Sequence, residues 1–133
     1  TNHAEVVKVI YDPNIIELKK ILKVFWECHD PTQGMRQGND VGSQYRSVIY
    51  SSDPSDLDIA NESKEIYQKE LGKNNYSSIT TEIDIVKNYF FIKFTRKLFF
   101  SRMLVRVCLR YQVSPKNRLV LLLQLRQLYR KSY

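Results

Sequence analysis

The chain has 133 residues, which suits one domain with one hydrophobic core. Its hydrophobic fraction of 43% and charged fraction of 26% are those of an ordinary globular protein, and it has no run of about 18 uncharged apolar residues that could span a membrane. Two cysteines are too few for a disulfide scaffold, and their spacing fits no zinc motif. We therefore expect a soluble protein in a reducing compartment, most simply the cytoplasm.

Charge divides the chain into two unequal parts. The net charge is +7, yet residues 1–83 carry 9 Lys and Arg against 13 Asp and Glu, whereas residues 84–133 carry 12 against one. Such a sharp change indicates two segments of different origin or role. We predict a domain over residues 1–91 and a basic, leucine-rich helical tail over residues 92–133.

The first strand and helix are read from their patterns. "HAEVVKVIYDP" is rich in β-branched residues, which predicts a largely buried strand that ends at Asp12 and Pro13. Asn14 with Glu17 three positions later predicts a capping box. Helical spacing then predicts a helix to about Glu27, with apolar positions at Ile15, Leu18, Leu22 and Phe25.

Three further elements precede the tail. "YRSVIYS" predicts a short strand, and "DPSDLDIANESKEIYQKEL" predicts a helix that is capped by Ser55 with Asp58 and closes near Gly72. "SSITTEIDIV" and "NYFFIKF" predict two more strands. This order favours an α+β fold, a two-layer sandwich with a helix-covered mixed or antiparallel sheet, although a parallel sheet fits the same alternation.

The segment between the first helix and the second strand is unusually long and polar. "HDPTQGMRQGNDVGSQYRS", residues 29–47, far exceeds the ~4–6 residues that a connector needs. Gly34, Gly38 and Gly42 would permit positive φ where the chain turns tightly. Because long ordered loops are more often functional than idle, we expect a site here.

Three stretches of this sequence carry a family resemblance. "HAE", "FWECHDPTQGMRQGNDVGSQYRSVIY" and "ITTEI" together resemble the peptide methionine sulfoxide reductase A family over residues 1–91. The resemblance implies a monomeric enzyme without cofactor or metal, which reduces the S-epimer of methionine sulfoxide, free or protein-bound, and so repairs oxidative damage. In this family a thiolate attacks the sulfoxide sulfur and becomes a sulfenic acid, which is recycled through a disulfide by thioredoxin or another dithiol.

The resemblance also assigns residues to a site. Glu5, Asp40 and Tyr45 match the family positions that bind the sulfoxide oxygen. Attack at sulfur pushes charge onto that oxygen, which then needs hydrogen-bond donors and a proton. Tyr45 offers a phenolic donor, and Asp40 would orient the site or hydrogen-bond the oxygen through water. Glu5 can donate only while protonated, which requires burial beside an apolar surface.

Other residues of the loop have more than one interpretation. His29, Gly38 and Asn39 are predicted to belong to the substrate-binding loop. His3 and His29 could be imagined as metal ligands with Glu5 and Asp30, but no spacing motif supports a metal, and loop hydrogen bonding explains His29 better. Without the family motifs around them, Glu5 would be interpreted as an ordinary residue at the end of a strand and Tyr45 as an ordinary surface residue.

The sequence departs from the family in two places. The family nucleophile is a cysteine in a Gly-Cys-Phe-Trp motif upstream of "HAE", and the printed sequence holds no such motif. Cys28 follows Phe25 and Trp26 in the wrong order and has no neighbouring base or cation that would activate it. We therefore expect the 133-residue chain to be inactive alone, and any redox role of Cys108 stays open. A missing N-terminal part could also carry a mitochondrial transit peptide.

After "ITTEI" and the aromatic "NYFF", the tail shares nothing with the family. From Thr95 it predicts two basic helices separated by Ser114 and Pro115, and one of them carries an arginine stripe at Arg102, Arg106 and Arg110. Such a helix can bind a membrane surface, a partner groove or nucleic acid without sequence preference, or it can simply pack its leucines on the domain. The alternative function is therefore a non-catalytic binding or regulatory chain that acts through this tail.

Overall fold

The computed structural model describes residues 4–86 and 119–123. Its elements, in chain order, are β1 (Val7–Tyr11), α1 (Leu18–Cys28), β2 (Arg36–Gln37), β3 (Asp40–Val41), a 3-10 helix (Ser43–Tyr45), β4 (Val48–Ser51), α2 (Pro54–Lys73), β5 (Glu82–Ile85) and β6 (Leu119–Leu123). The strand predicted at "NYFFIKF" and the arginine stripe of the tail lie outside the described residues. Neither described helix is long and apolar enough to cross a membrane.

Among the described residues, the main sheet has four strands in the order β1-β6-β4-β5. β6 runs antiparallel to both β1 and β4, whereas β4 and β5 are parallel. The parallel pair is joined by α2, as a crossover connection requires. The predicted α+β fold with a mixed sheet is thus confirmed.

The helix predicted in the tail is wrong for Leu119–Leu123, which form the central strand β6. The segment reads "LVLLL", so its apolar run carries neither helical nor strand periodicity. In the sheet it pairs Leu121 with Val9 on one side and Leu123 with Ile49 on the other. A strand between β1 and β4 supplies hydrogen-bonding partners to both neighbours, which a helix could not do.

The core lies between the sheet and the two helices. α1 buries one face, on which Leu22 and Phe25 are 0% exposed, against Val9 and Ile49 of the sheet and Ala60 of α2. This burial confirms the predicted apolar positions Leu18, Leu22 and Phe25. The prediction is wrong for Ile15, which lies before α1 and is 42% exposed. The two helices also contact each other through Trp26, whose Nε1 donates to Ser63 Oγ at 3.0 Å and whose ring stacks on Tyr67 at a centroid distance of 5.8 Å.

The first predicted cap is not used. Asn14 lies in the turn after β1, where its backbone N and its Nδ2 both donate to Asp12 Oδ1, at 2.8 and 3.0 Å. An amide so close to an acceptor closes a turn instead of starting a helix. α1 therefore begins later, at Leu18, and its N-cap Glu17 makes no side-chain cap bond.

The second predicted cap is displaced by two residues. Asp53, not Ser55, caps α2, and its Oδ1 accepts from Ser55 N at 2.9 Å and Ser55 Oγ at 2.8 Å. Pro54 follows at the first helical position, where its missing N–H leaves no bond unmade. The predicted cap at Ser55 is therefore wrong, because the proline at the first helical position places the cap at the residue before it.

Candidate functional site

The two ends of the long polar loop are tied together by one imidazole. His29 Nδ1 lies 2.7 Å from the carbonyl oxygen of Phe25, and His29 Nε2 lies 2.7 Å from Ser47 Oγ. Because a carbonyl can only accept, Nδ1 carries the hydrogen and Nε2 accepts from the Ser47 hydroxyl. Ser47 Oγ lies in turn 2.8 Å from Thr81 Oγ1, which extends the chain of bonds towards β5.

His29 is buried, with 8% of its surface exposed, so it faces the protein and not a ligand in solvent. Burial lowers the pKa of His29 to about 4, although the bond to Phe25 acts in the opposite direction. The ring is therefore neutral at physiological pH, as the tautomer above requires. Of the predicted loop residues, His29 is placed to hold the loop in shape, as the hydrogen-bonding interpretation expected.

The first part of the loop is organised by Asp30. Its carboxylate accepts from Thr32 N at 2.9 Å, Thr32 Oγ1 at 2.6 Å and Gln33 Nε2 at 3.1 Å. Burial acts to raise the pKa of Asp30, but the bonds from Thr32 and Gln33 hold it below its usual value. Pro31 and Thr80 then join this segment to the approach to β5, since Thr80 N donates to Pro31 O at 2.8 Å.

The middle of the loop is a two-stranded hairpin, with Gly38 and Asn39 at its turn. Gln37 pairs with Asp40 in the hairpin, and Gly38 adopts a φ of 59°, which favours glycine. Gly38 N donates to Gln33 Oε1 at 2.6 Å. Gly38 is therefore fixed by its neighbours, whereas Asn39 is exposed at the tip.

Gln37 is the most buried polar residue of the hairpin, at 2% exposure. Its Nε2 donates to the carbonyl oxygen of Asp30 at 3.1 Å, which links the hairpin to the first turn of the loop. Its Oε1 has no hydrogen-bond partner among the described residues. The buried Gln37 side chain therefore holds the hairpin against the first turn of the loop.

A tight turn then carries the chain from the hairpin to Tyr45. Gly42 N donates to Met35 O at 2.9 Å, and Tyr45 N donates to Gly42 O at 3.0 Å. Gly42 has a φ of 147°, and a Cβ at this position would lie 3.0 Å from Gln44 Oε1. A residue larger than glycine would strain both the backbone and the approach to Gln44.

The same turn connects the backbone segments that carry the three predicted oxygen-binding residues. Glu5 N donates to Gln44 O at 2.8 Å, so the segment before β1 lies against the residue that precedes Tyr45. Asp40 belongs to the hairpin strand that leads directly into Gly42. Glu5 itself is exposed, so the apolar cover expected for it does not come from the described residues.

One ion pair beside this turn, in which a buried arginine meets an exposed glutamate, was missed at the sequence level. Arg46 is 7% exposed, and its Nε donates to Glu82 Oε2 at 2.9 Å. Tyr50 Oη donates to the other carboxylate oxygen of Glu82 at 2.7 Å. Arg46 and Glu82 are 36 residues apart, and no local pattern links them, so only the parallel pairing of β4 with β5 brings them together.

The ionisation of this pair follows from its contacts. Burial acts to raise the pKa of Glu82, but the bonds from Tyr50 and Arg46 hold it below its usual value. Burial and the Glu82 carboxylate raise the pKa of Tyr50 to about 12. Glu82 is therefore charged and Tyr50 neutral near pH 7, which is the state that their hydrogen bond needs.

Cys28 lies at the end of α1 and is half-buried. Its Sγ donates to Phe25 O at 3.2 Å, and burial raises the pKa of the Cys28 thiol to about 11. A thiol that stays protonated is a poor nucleophile, in line with the expectation that Cys28 is not catalytic. Within residues 4–86 and 119–123, no group of three or more His, Cys, Asp or Glu could hold a metal ion; His3 lies outside these ranges.

These features define an α+β protein whose mixed sheet supports a long, internally bonded polar loop. The model of the peptide methionine sulfoxide reductase family matches residues 1–124, and the chain belongs to this family. The match confirms the resemblance seen in the sequence. It extends beyond residue 91, whereas the alignments with individual relatives below cover 92 and 83 residues; the boundary between domain and tail stays a prediction.

Individual relatives show how much of the family's length is present. The chain is 54% identical over 92 residues to peptide methionine sulfoxide reductase MsrA of Photobacterium profundum, which covers 68% of this chain and 44% of that protein. It is 58% identical over 83 residues to the mitochondrial peptide methionine sulfoxide reductase of Mus musculus, covering 62% of this chain and 36% of that protein. The chain thus spans less than half the length of these relatives.

A solved structure supports the same fold. Methionine sulfoxide reductase A of Corynebacterium diphtheriae superposes with a TM-score of 0.61 and is 44% identical. The superposition covers 64% of this chain and 42% of that one. The α+β core described above is therefore the family's core.

The buried state of His29 generates a prediction about pH. The unfolded chain takes up a proton at His29 below about pH 6.5, but the folded chain does so only near pH 4. His29 should therefore cost the folded state stability as the pH falls from 6.5 towards 4, by roughly 3 kcal/mol at most, and should add no pH dependence above 6.5.

Urea unfolding of the wild type and of His29→Gln from ~pH 4 to ~pH 8 measures this effect. The variant should be less stable near neutral pH, because it loses bonds to Phe25 or Ser47, and the difference between the two proteins should shrink in acid. Parallel stability profiles over the whole range would contradict a buried, neutral His29.

Proposed function

We propose that the protein reduces the S-epimer of methionine sulfoxide, free or within polypeptides, and so reverses oxidative damage to methionine. The observation that carries this proposal is the bond from Glu5 N to Gln44 O at 2.8 Å. It joins the "HAE" segment to the turn that ends at Tyr45, and the hairpin containing Asp40 enters the same turn. This contact between Glu5, from the start of the chain, and the loop that carries Asp40 and Tyr45 supports the proposal that the three residues serve one ligand oxygen.

In the proposed reaction these residues act on the sulfoxide oxygen. A thiolate attacks sulfur, the sulfur–oxygen bond breaks, and the thiol sulfur ends as a sulfenic acid while methionine leaves as the sulfide. Negative charge that develops on oxygen is met by the Tyr45 hydroxyl, with Asp40 orienting the oxygen. Glu5 can donate a proton in this step only when its carboxyl, which is exposed among the described residues, is covered by an apolar surface. A second thiol then condenses with the sulfenic acid, which releases water and leaves a disulfide for thioredoxin or another dithiol to reduce.

In the family the attacking thiolate stands in a Gly-Cys-Phe-Trp motif, which the printed sequence does not hold. Neither Cys28 nor Cys108 stands in that motif. We place the working protein in a reducing compartment, the cytoplasm or the mitochondrion, as a monomer that needs no cofactor beyond its reductant. The basic tail adds non-specific affinity for polyanions.

The 133-residue chain alone should therefore show no turnover. Purified chain incubated with dithiothreitol and N-acetyl-methionine (S)-sulfoxide should leave the sulfoxide unchanged, because the Cys28 thiol is held protonated near pH 7. Chromatographic measurement of the sulfide product tests this expectation. Activity of the chain that disappears in Cys28→Ser would make Cys28 the nucleophile. It would refute the proposal that the nucleophile stands in a Gly-Cys-Phe-Trp motif.

The oxygen-binding residues can be tested in a chain that carries a Gly-Cys-Phe-Trp segment upstream of residue 1. Glu5→Gln should lower kcat by about a hundredfold, because it removes a proton donor aimed at developing charge. Glu17→Gln is the matched control, since Glu17 is exposed and makes no cap bond at the start of α1. Equal, small effects of the two substitutions would show that Glu5 is only a residue before a strand.

A further inference from the structure

The guanidinium of Arg46 is buried at a position where the sequence suggests only a surface charge. It follows Tyr45 at the end of the polar loop, yet it is 7% exposed. Its Nη1 donates to the carbonyl oxygen of Ser43 at 2.8 Å, and its Nη2 donates to Tyr50 Oη at 3.2 Å. With the bond from Nε to Glu82, three nitrogens of one rigid plane join the 3-10 helix, β4 and β5.

The partners of Arg46 are also bonded to each other. Tyr50 Oη donates to Glu82 Oε1 at 2.7 Å, while Arg46 occupies Glu82 Oε2, so both carboxylate oxygens are used. The exposed pair between Lys19 and Glu62 differs, because both of its side chains are more than half exposed. The Arg46 side chain is 8% exposed and the Glu82 side chain 44%, so this mutually bonded cluster is partly desolvated and holds its geometry better than such a surface pair.

The turn that bears Tyr45 is therefore held from two sides. On one side Glu5 N donates to Gln44 O, and on the other the Arg46 guanidinium donates to Ser43 O. Both anchors attach to the short 3-10 helix itself, at the carbonyl oxygens of its first and second residues. A three-residue helix with two of its carbonyls bonded to other segments leaves its backbone little freedom to shift.

We propose that Arg46 is a positioning residue of the sulfoxide site, and that Glu82 and Tyr50 hold its guanidinium in place. Arg46 acts by fixing the Ser43–Tyr45 turn, and through it the direction of the Tyr45 hydroxyl. Lysine could keep the charge, but it could not reach three acceptors in one plane as the arginine fork does. The identity of the ligand rests on the proposed function, whereas the rigidity of the turn does not.

Hydrogen exchange in the 133-residue chain tests the rigidity directly. Arg46→Lys and Glu82→Gln should each accelerate exchange of the Tyr45 amide by about tenfold or more, the scale of losing one bond to a charged group. The Leu22 amide in α1 should keep its protection. Glu62→Gln is the matched control, because it removes the same charge from an exposed ion pair and should change neither amide.

Affinity separates positioning from simple folding stability. Binding of N-acetyl-methionine (S)-sulfoxide should weaken about tenfold in folded Arg46→Lys, while any affinity for N-acetyl-methionine, which lacks the oxygen, should stay unchanged. Unchanged Tyr45 exchange, equal acceleration at Leu22, or faster exchange without loss of sulfoxide affinity would each overturn the role of Arg46. Failure of the wild type to bind the sulfoxide would instead refute the proposed function, and Tyr45 exchange would then still decide whether Arg46 holds the turn.

Discussion

The hydrogen bonds of His29 are the constraint on which the rest of the loop depends. The imidazole joins Phe25 at the end of α1 to Ser47 at the start of β4, so the first and last residues of the polar loop meet across one ring. A loop of this length costs considerable entropy to close, and a buried, fully bonded side chain offsets part of that cost. The ring must stay neutral to do so, because a charged imidazole would lose its acceptor at Nε2 and would be costly to bury.

Within that closed frame the loop satisfies its own polar groups. Asp30 accepts bonds from the turn that follows it, Gln33 holds the amide of Gly38, and Arg46 holds the carbonyl of Ser43. These bonds convert a segment with little regular structure into a defined support for Asp40 and Tyr45. A site that must stabilise charge on an oxygen needs such fixed groups, because donors that reorganise during the reaction lose most of their effect.

Sequence reasoning succeeded where a single pattern carried the information. The 3.6-residue spacing of Leu18, Leu22 and Phe25 predicted α1, and the buried side chains bear this out. β-Branched runs predicted the strands that became β1 and β4. The sequence motifs around Asp40 and Tyr45 identified the family, because a polar loop of this length is unlikely to match the family's order of residues by chance.

It failed where distant partners or competing turns decide the outcome. Asn14 and Ser55 each fit a capping pattern, but Asp12 drew Asn14 into a turn and Asp53 took the cap of α2. The apolar run of β6 has no period, and its place between β1 and β4 depends on strands more than sixty residues upstream.

Long-range contacts also decide the roles of side chains in the loop. The burial of Arg46 depends on Glu82 in β5, and the tautomer of His29 depends on Ser47 at the other end of the loop. In the sequence alone, Arg46 and His29 look the same as an arginine and a histidine on the protein surface. Their roles are fixed only once the sheet has formed, which is why a linear pattern does not reveal them.

The central claim is that the turn after Gly42, together with Glu5 and Asp40, forms a binding site for a sulfoxide oxygen. Amide chemical shifts of the labelled chain, recorded during titration with N-acetyl-methionine (S)-sulfoxide, test it most directly. We expect saturable shifts at the amides of Glu5, Gly42 and Tyr45, and no such shifts with N-acetyl-methionine. Shifts confined to α2, or equal shifts with the sulfide, would contradict the site.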